Sequence, residues 1–354
     1  LVFLLFWGLG MEKILSYSRD PSNTKTLKRA KLSNRAPASK SAWSIWPLAI
    51  KGLLVVIFTS IGTAYMRPQF DVHPSGVVVI TGASTGIGAS AALKLSALGY
   101  TVLAGVRRLE DGEALRKANW KTRDFIVPTI IDVTNVETID SAVREAQRVA
   151  GESGVVGVVC NAGISAQGGL APVEFSSAEA DQRVFAVNYF GVVETVKRFL
   201  PLIRDARGRI VIVGSVAGNV ASPFQQPYSA SKFAVRSIAD SLRRELKPAG
   251  VSVSRVEPGF IETPILTKQS GHGTFSALQE GQRAPYLSLY DRTLRKMRKL
   301  ASKASKMETS TDLSIQHALT AARPQAVYHP GNIGGKPASV VTGLFNFLNV
   351  LDPA

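Results

Sequence analysis

The sequence predicts an α/β fold, a doubly wound parallel sheet with helices on both faces, and three observations carry that expectation. From Gly76 onward, short runs rich in Val and Ile alternate with segments of helical periodicity. A glycine-rich turn, "TGASTGIG" at 81–88, joins the first apolar run to the first helical segment. With 354 residues and 45% hydrophobic content, the chain is long enough to bury one large core or two small ones.

The elements follow in order. "GVVVITG" (76–82) reads as a buried strand, and "GIGASAALKLSALG" (86–99) as a helix ending at a capping Gly. "YTVLAGV" (100–106) and "FIVPTIIDV" (125–133) are the second and third strands. "ETIDSAVREAQRVA" (137–150) is a helix and "VVGVVCNAG" (155–163) the fourth strand. A long helix is expected over 178–204, then a strand at "GRIVIVGS" (208–215). A helix over 226–247 and a sixth strand, "VSVSRVEPG" (251–259), complete a sheet of Rossmann type. There are no internal repeats.

Ahead of this domain, residues 1–10 are apolar and do not begin with Met, so either the chain continues upstream or Met11 is its start. Residues 1–42 form a basic segment, with six Lys/Arg and no acid over 25–40. A transmembrane helix is expected over 43–66. Pro47 to Met66 spans 20 residues, about 30 Å as a helix, which matches a bilayer core. Trp43, Trp46 and Tyr65 stand where interface anchors would. The alternative is a cleavable targeting segment followed by a buried helix. The catalytic domain is assigned to 76–335, with a variable lid at 264–310 and a tail at 336–354.

Charge and composition exclude several classes. The net charge is +16, but residues 76–261 carry 21 Lys/Arg against 17 Asp/Glu, so the basicity lies mostly in the flanks. That distribution points to a membrane surface rather than to nucleic acid, which would be read by a basic stripe on the folded domain. His73, His272, His317 and His329 are scattered without metal-ligand spacing, so no metal is expected. Cys160, the single cysteine, reads as a small buried hydrophobe.

Two motifs carry the chemistry. In the turn, Gly82, Gly86 and Gly88 let backbone approach a pyrophosphate at the N-terminus of the following helix. In "QQPYSASKFAV" (225–235), Tyr228 and Lys232 stand one helical turn apart on one face. A free phenol has a pKa of about 10, and lowering it by about three units needs roughly 4 kcal/mol. A cation at about 4 Å supplies about that much at an effective dielectric of about 20, so the pair is competent in magnitude for acid/base work.

T-G-x-x-x-G-x-G, then N-A-G at 161–163, Ser215, Y-x-x-x-K at 228–232 and P-G at 258–259 together resemble the short-chain dehydrogenase/reductase family. Ser215 stands 13 residues before Tyr228, as that pattern requires, and the resemblance covers residues 76–330. It implies an oxidoreductase in which Tyr228 is general acid or base and Ser215 donates to the substrate oxygen. It also implies that Lys232 bonds the nicotinamide ribose and that Asn188, in "VNYFG", holds a water. The implied cofactor contacts are Gly82, Ser84, Gly86, Ile87 and Gly88 in the turn, and Asp132 near the adenine. Asn161, Ala162, Gly163, Pro258, Gly259, Ile261 and Thr263 complete them, Thr263 toward the carboxamide. The tail at 315–331 is similar to that of membrane-associated members acting on steroids, retinoids and hydroxybutyrate.

The second strand ends in Val106 where an NAD-preferring site usually carries an acid, and Arg107 and Arg108 follow. NADP(H) is therefore the expected cofactor, since Arg pairs bidentately with a phosphate; NAD(H), with oxidative work on a secondary alcohol, is the alternative. A small lipophilic substrate, a membrane of the endoplasmic reticulum or mitochondrion, and homo-oligomerisation by analogy through the 178–204 and 226–247 helices complete the expectations. "RTLRKMRKLASKASK" (292–306) reads either as a membrane-surface helix, with Leu294, Met297, Ala301 and Ala304 on its apolar face, or as a solvated lid helix.

Overall fold

Every residue of the strands at Val77–Thr81 (β1), Val155–Cys160 (β4), Arg209–Val213 (β5) and Ser252–Val256 (β6) is buried, because helices cover both faces of the sheet. With β2 (Thr101–Val106), β3 (Ile126–Ile130) and β7 (Val327–Tyr328) they form a seven-stranded parallel sheet of order β3-β2-β1-β4-β5-β6-β7. This is a computed structural model, and it describes residues 67–118, 121, 123–165, 169–263, 273–307, 309–333 and 335–343. The basic segment and the expected span at 43–66 lie outside the described residues. Among the described residues no helix is long and apolar enough to cross a membrane.

The described α-helices of eight residues or more are, in chain order, α1 (Gly86–Ser96), α2 (Leu109–Ala118), α3 (Val136–Ala150), α4 (Ala178–Phe185), α5 (Gly191–Asp205), α6 (Gln226–Leu246), α7 (Leu287–Ala301) and α8 (Thr311–Thr320). Ile139 and Ala146 of α3, Val196 and Phe199 of α5 and Val235 of α6 pack on one face of the sheet. Ala91 and Leu95 of α1, with Ile315 and Leu319 of α8, pack on the other. Cys160 is among the buried core residues, and burial pushes its thiol up to about 12, as expected of an inert small hydrophobe. The sheet runs outward from β1 through β2 to β3, then resumes at β4 on the other side of β1. Ligands of such sheets bind at that reversal, beyond the C-terminal strand ends.

Gly99 caps α1 as expected: at φ +91° its N–H donates to Ser96 O (3.1 Å) while Tyr100 N–H donates to Leu95 O (3.2 Å). The structure departs from the sequence expectations in three places. The single helix expected over 178–204 is α4 and α5 joined by a π-helical turn at Ala186–Phe190. Gly191 follows that turn; a Cβ there would lie 2.6 Å from Cγ2 of Val133, so the close approach needs glycine. The seventh strand, β7, was not foreseen because only two of its residues pair, with Arg255 and Val256. The basic lid helix ends at Ala301 and excludes Ala304, while its Leu294 and Met297 pack with Leu170, Phe224, Phe275 and Tyr290. The apolar face offered to a bilayer is thus occupied within the domain, and the membrane-surface alternative for this helix gives way to the lid helix.

Candidate active site

The glycine turn is shaped by backbone demands. Gly82 and Gly86 have φ +66° and +61°, where a side chain is strained, and a Cβ on Gly82 would meet Ala162 Cα at 2.9 Å. Asn161 locks the turn against the end of β4: its Nδ2 donates to the carbonyls of Thr81 (3.0 Å) and Gly82 (3.1 Å). The Thr81 hydroxyl accepts from the backbone N–H groups of Asn161 and Ala162, each at 3.0 Å. Thr85 makes no side-chain cap to α1, and the first turn of α1 holds no acid. Its leading N–H groups are left for an anion, and the helix dipole favours one there. These features fit the pyrophosphate of a dinucleotide.

A cleft of about 1140 Å³ opens above the strand ends. It is lined by Gly82, Ser84, Gly86, Ile87, Arg107, Asp132, Asn161, Ala162 and Gly163, and also by Ser215, Tyr228, Lys232, Pro258, Gly259, Ile261 and Thr263. Three of the expected residues stand outside that lining. Gly88 packs behind the turn, against the carbonyl of Gly82. Arg108 points away and lies 3.4 Å from Glu110, both well exposed. Asn188 is buried on the π turn, where its Oδ1 accepts from Ile164 N (2.8 Å) and its Nδ2 donates to Ile164 O (2.9 Å) and Ser231 Oγ (3.0 Å). Its amide is therefore engaged in holding the 161–164 segment. At the other end of the sheet reversal, Asp132 accepts from the Thr134 N–H (3.0 Å) and hydroxyl (2.7 Å).

Helix α6 begins at Gln226 with Pro227 in its first turn, which suits a helix start and aims Tyr228 and Lys232 into the cleft. Tyr228 stands beside Ser215, whose Oγ accepts from Ala217 N at 3.1 Å and so caps the turn at Val216–Gly218. Lys232 Nζ donates to Val213 O at 3.1 Å and lies 5.8 Å from the Tyr228 ring centre.

The electrostatics differ from the sequence expectation. Burial raises the Tyr228 pKa, and the Ser215 hydrogen bond only partly opposes this. Burial likewise pushes Lys232 down to about 8. An ammonium about 5 Å from a phenolate oxygen would supply about 3 kcal/mol at an effective dielectric of about 20. Burying a phenolate costs several kcal/mol, so desolvation outweighs the cation. The phenol is thus held as a proton donor at neutral pH, while Lys232 stays mostly charged.

Beneath the Ser215 turn lies a buried ionic cluster that sequence reasoning missed. Glu257, 1% exposed, pairs with Arg255 Nε and accepts from Asn219 Nδ2 at 2.7 Å. Arg255 also donates to Asp240 at 3.0 Å. The Asn219–Glu257 bond ties the Ser215 turn to the segment that continues into Pro258 and Gly259. The available signal was a buried strand carrying Arg and Glu two residues apart, hence on one face. Arg183, Arg292 and Lys296, also unforeseen, line the cleft as well. Among the described residues no cluster of potential metal ligands occurs.

The comparisons agree with this geometry. The family model for short chain dehydrogenase matches residues 76–272. The chain is 36% identical over 272 residues to the mitochondrial D-beta-hydroxybutyrate dehydrogenase of Rattus norvegicus, covering 74% of this chain and 78% of the relative. It is 32% identical over 291 residues to retinol dehydrogenase 5 of Mus musculus, covering 80% and 88%. Among solved structures, a short chain dehydrogenase/reductase from Burkholderia phymatum in complex with NAD superposes with a TM-score of 0.62 at 26% identity, over 80% of this chain and 98% of that one. With the family match spanning more than half of its length and the glycine turn opposite a Ser-Tyr-Lys wall, the chain belongs to the short-chain dehydrogenase family.

Proposed function

We propose that this chain transfers a hydride between NADP(H) and a carbonyl or hydroxyl of a lipophilic substrate of steroid, retinoid or acyl-ketone type, with Tyr228 as general acid/base. The carrying observation is Tyr228 on the cleft wall, beside Ser215 and one helical turn from Lys232. A nicotinamide held in the cleft would supply or accept the hydride. In reduction, the Tyr228 hydroxyl gives its proton to the substrate oxygen while the Ser215 hydroxyl donates a hydrogen bond to the same atom. In oxidation, Tyr228 takes the alcohol proton, which requires the phenolate and so favours high pH. Lys232 steadies that phenolate and holds the carbonyl of Val213. Asn188 keeps the Ile164 segment against the Ser231 turn of α6, acting as a positioning residue.

Preference for NADP(H) is supported by Arg107 at the cleft beside Val106. The second reading, an NAD-dependent enzyme working oxidatively, is favoured by Arg108, which pairs with Glu110 away from the cleft. Fluorescence titration of the full chain with NADPH and NADH separates them. Tighter NADPH binding that Arg107→Ala weakens about tenfold, with NADH unaffected, supports the first reading. Tighter NADH binding sinks it. Association with the endoplasmic reticulum or mitochondrion is supported by the apolar 43–66 segment and by the mitochondrial relative. Homo-oligomerisation is supported by exposed Phe190 and Phe233, on the π turn and on α6; sedimentation would test it.

A further inference from the structure

Helix α7 has two working faces. One, with Tyr290 and Leu294, is buried against Phe224 and Phe275. The other places Leu289, Arg292, Thr293, Lys296, Met297 and Leu300 along the cleft, at the spacing of a single helical face. Arg292 and Lys296 stand one turn apart, where like charges repel. Neither has an ion-pair or hydrogen-bond partner among the described residues. Basic residues in a last helical turn are accounted for by the helix dipole, which covers Arg298 and Lys299 but not Arg292, more than two turns from the C-terminus. Among the described residues lining the cleft the single acid is Asp132, at the end of β3 and engaged with Thr134. No described residue of the lining therefore offers a free negative charge to Arg292 and Lys296, while Leu289, Leu300, Ile333 and Val341 add apolar surface to the same cleft.

From this unbalanced pair on the α7 side of the cleft, we infer that Arg292 and Lys296 form an anion-recognising subsite for the substrate, selecting an amphiphile with an apolar body and an anionic head group such as a carboxylate. The inference rests on the oxidoreductase reading of the same cleft. Arg presents a planar fork that matches a carboxylate bidentately, and Lys adds a point charge one turn away. The reacting carbonyl or hydroxyl would then be a second group on the same molecule, reaching Tyr228 while the head group stays at α7.

The test uses the full chain and two fluorescent probes that share one polyene tail, cis-parinaric acid and cis-parinaryl alcohol. The acid is expected to bind about five- to tenfold more tightly than the alcohol, with the preference shrinking as salt rises. In the Arg292→Gln/Lys296→Gln double variant the preference disappears, while alcohol and NADH binding each stay within about twofold. Equal affinity of the two probes in the unaltered chain overturns the subsite, as does a preference that survives in the variant. A variant that loses NADH or NADPH binding instead assigns the cations to the cofactor and also overturns it. Failure of the unaltered chain to reduce any carbonyl compound would count against the oxidoreductase reading alone, because the probe comparison needs no turnover.

Discussion

The strand-end wall of the cleft is buried and cross-linked, whereas the α7 wall is exposed and carries two cations, Arg292 and Lys296, without partners among the described residues. On the first wall Asn161 and Lys232 bond backbone carbonyls, buried Asn188 does so behind it, and Glu257 holds the Ser215 turn from below. On the second, Arg292 and Lys296 are exposed and Leu289 is 38% exposed. The difference separates two tasks. Proton transfer needs a donor fixed to a fraction of an ångström, which buried hydrogen bonds supply. Selection of a substrate tolerates looser groups, and a helix seated on a small satellite cluster can change without disturbing the chemistry.

If the comparison holds, substitutions on the buried wall change stability far more than those on the rim. Glu257→Ala should cost about 3 kcal/mol in urea unfolding, since Arg255 is left buried with only Asp240 to balance it. A loss under about 1 kcal/mol would mean the cluster is not a support. Asn188→Ala strips Ile164 and Ser231 of their partners and should cost about 2 kcal/mol.

Lys232→Met sharpens the contrast because its sign is reversed. The folded-state pKa of Lys232, about 8, lies below its ordinary value of 10.5, so folding disfavours the ammonium. Between about pH 8 and 10 the unfolded chain holds a proton that the folded chain has lost, and stability rises with pH. The variant should gain about 1–3 kcal/mol at pH 7 and lose that rise, at the expense of activity. A less stable variant would show that the Lys232 contact with Val213 outweighs desolvation. The smallest effect is expected for Arg108→Ala. With its guanidinium paired only to exposed Glu110, cofactor affinities should stay within about twofold in a titration.

Much of the buried wall was legible in the sequence because it rests on residue types that geometry demands. Positive φ at Gly82 and Gly86 needs glycine, and a Tyr four residues before a Lys must share a helix face with it. The direction of the Tyr228 shift was not legible, since it depends on burial depth rather than on spacing. Nor was the π turn that carries buried Asn188, which leaves no mark in composition. For α7 the basic run was visible, but which face meets the cleft depends on Phe224 and Phe275, distant in sequence.

The most direct test of the account compares the unaltered full chain with Tyr228→Phe in carbonyl-dependent oxidation of NADPH and NADH, using retinal, a 17-ketosteroid and a 3-oxo acid. Activity with at least one carbonyl compound, falling about 10²–10⁴-fold in the variant while cofactor affinity and unfolding midpoint hold, is the predicted result. Equal turnover by the variant, or none by an unaltered chain that folds and binds cofactor, would contradict it.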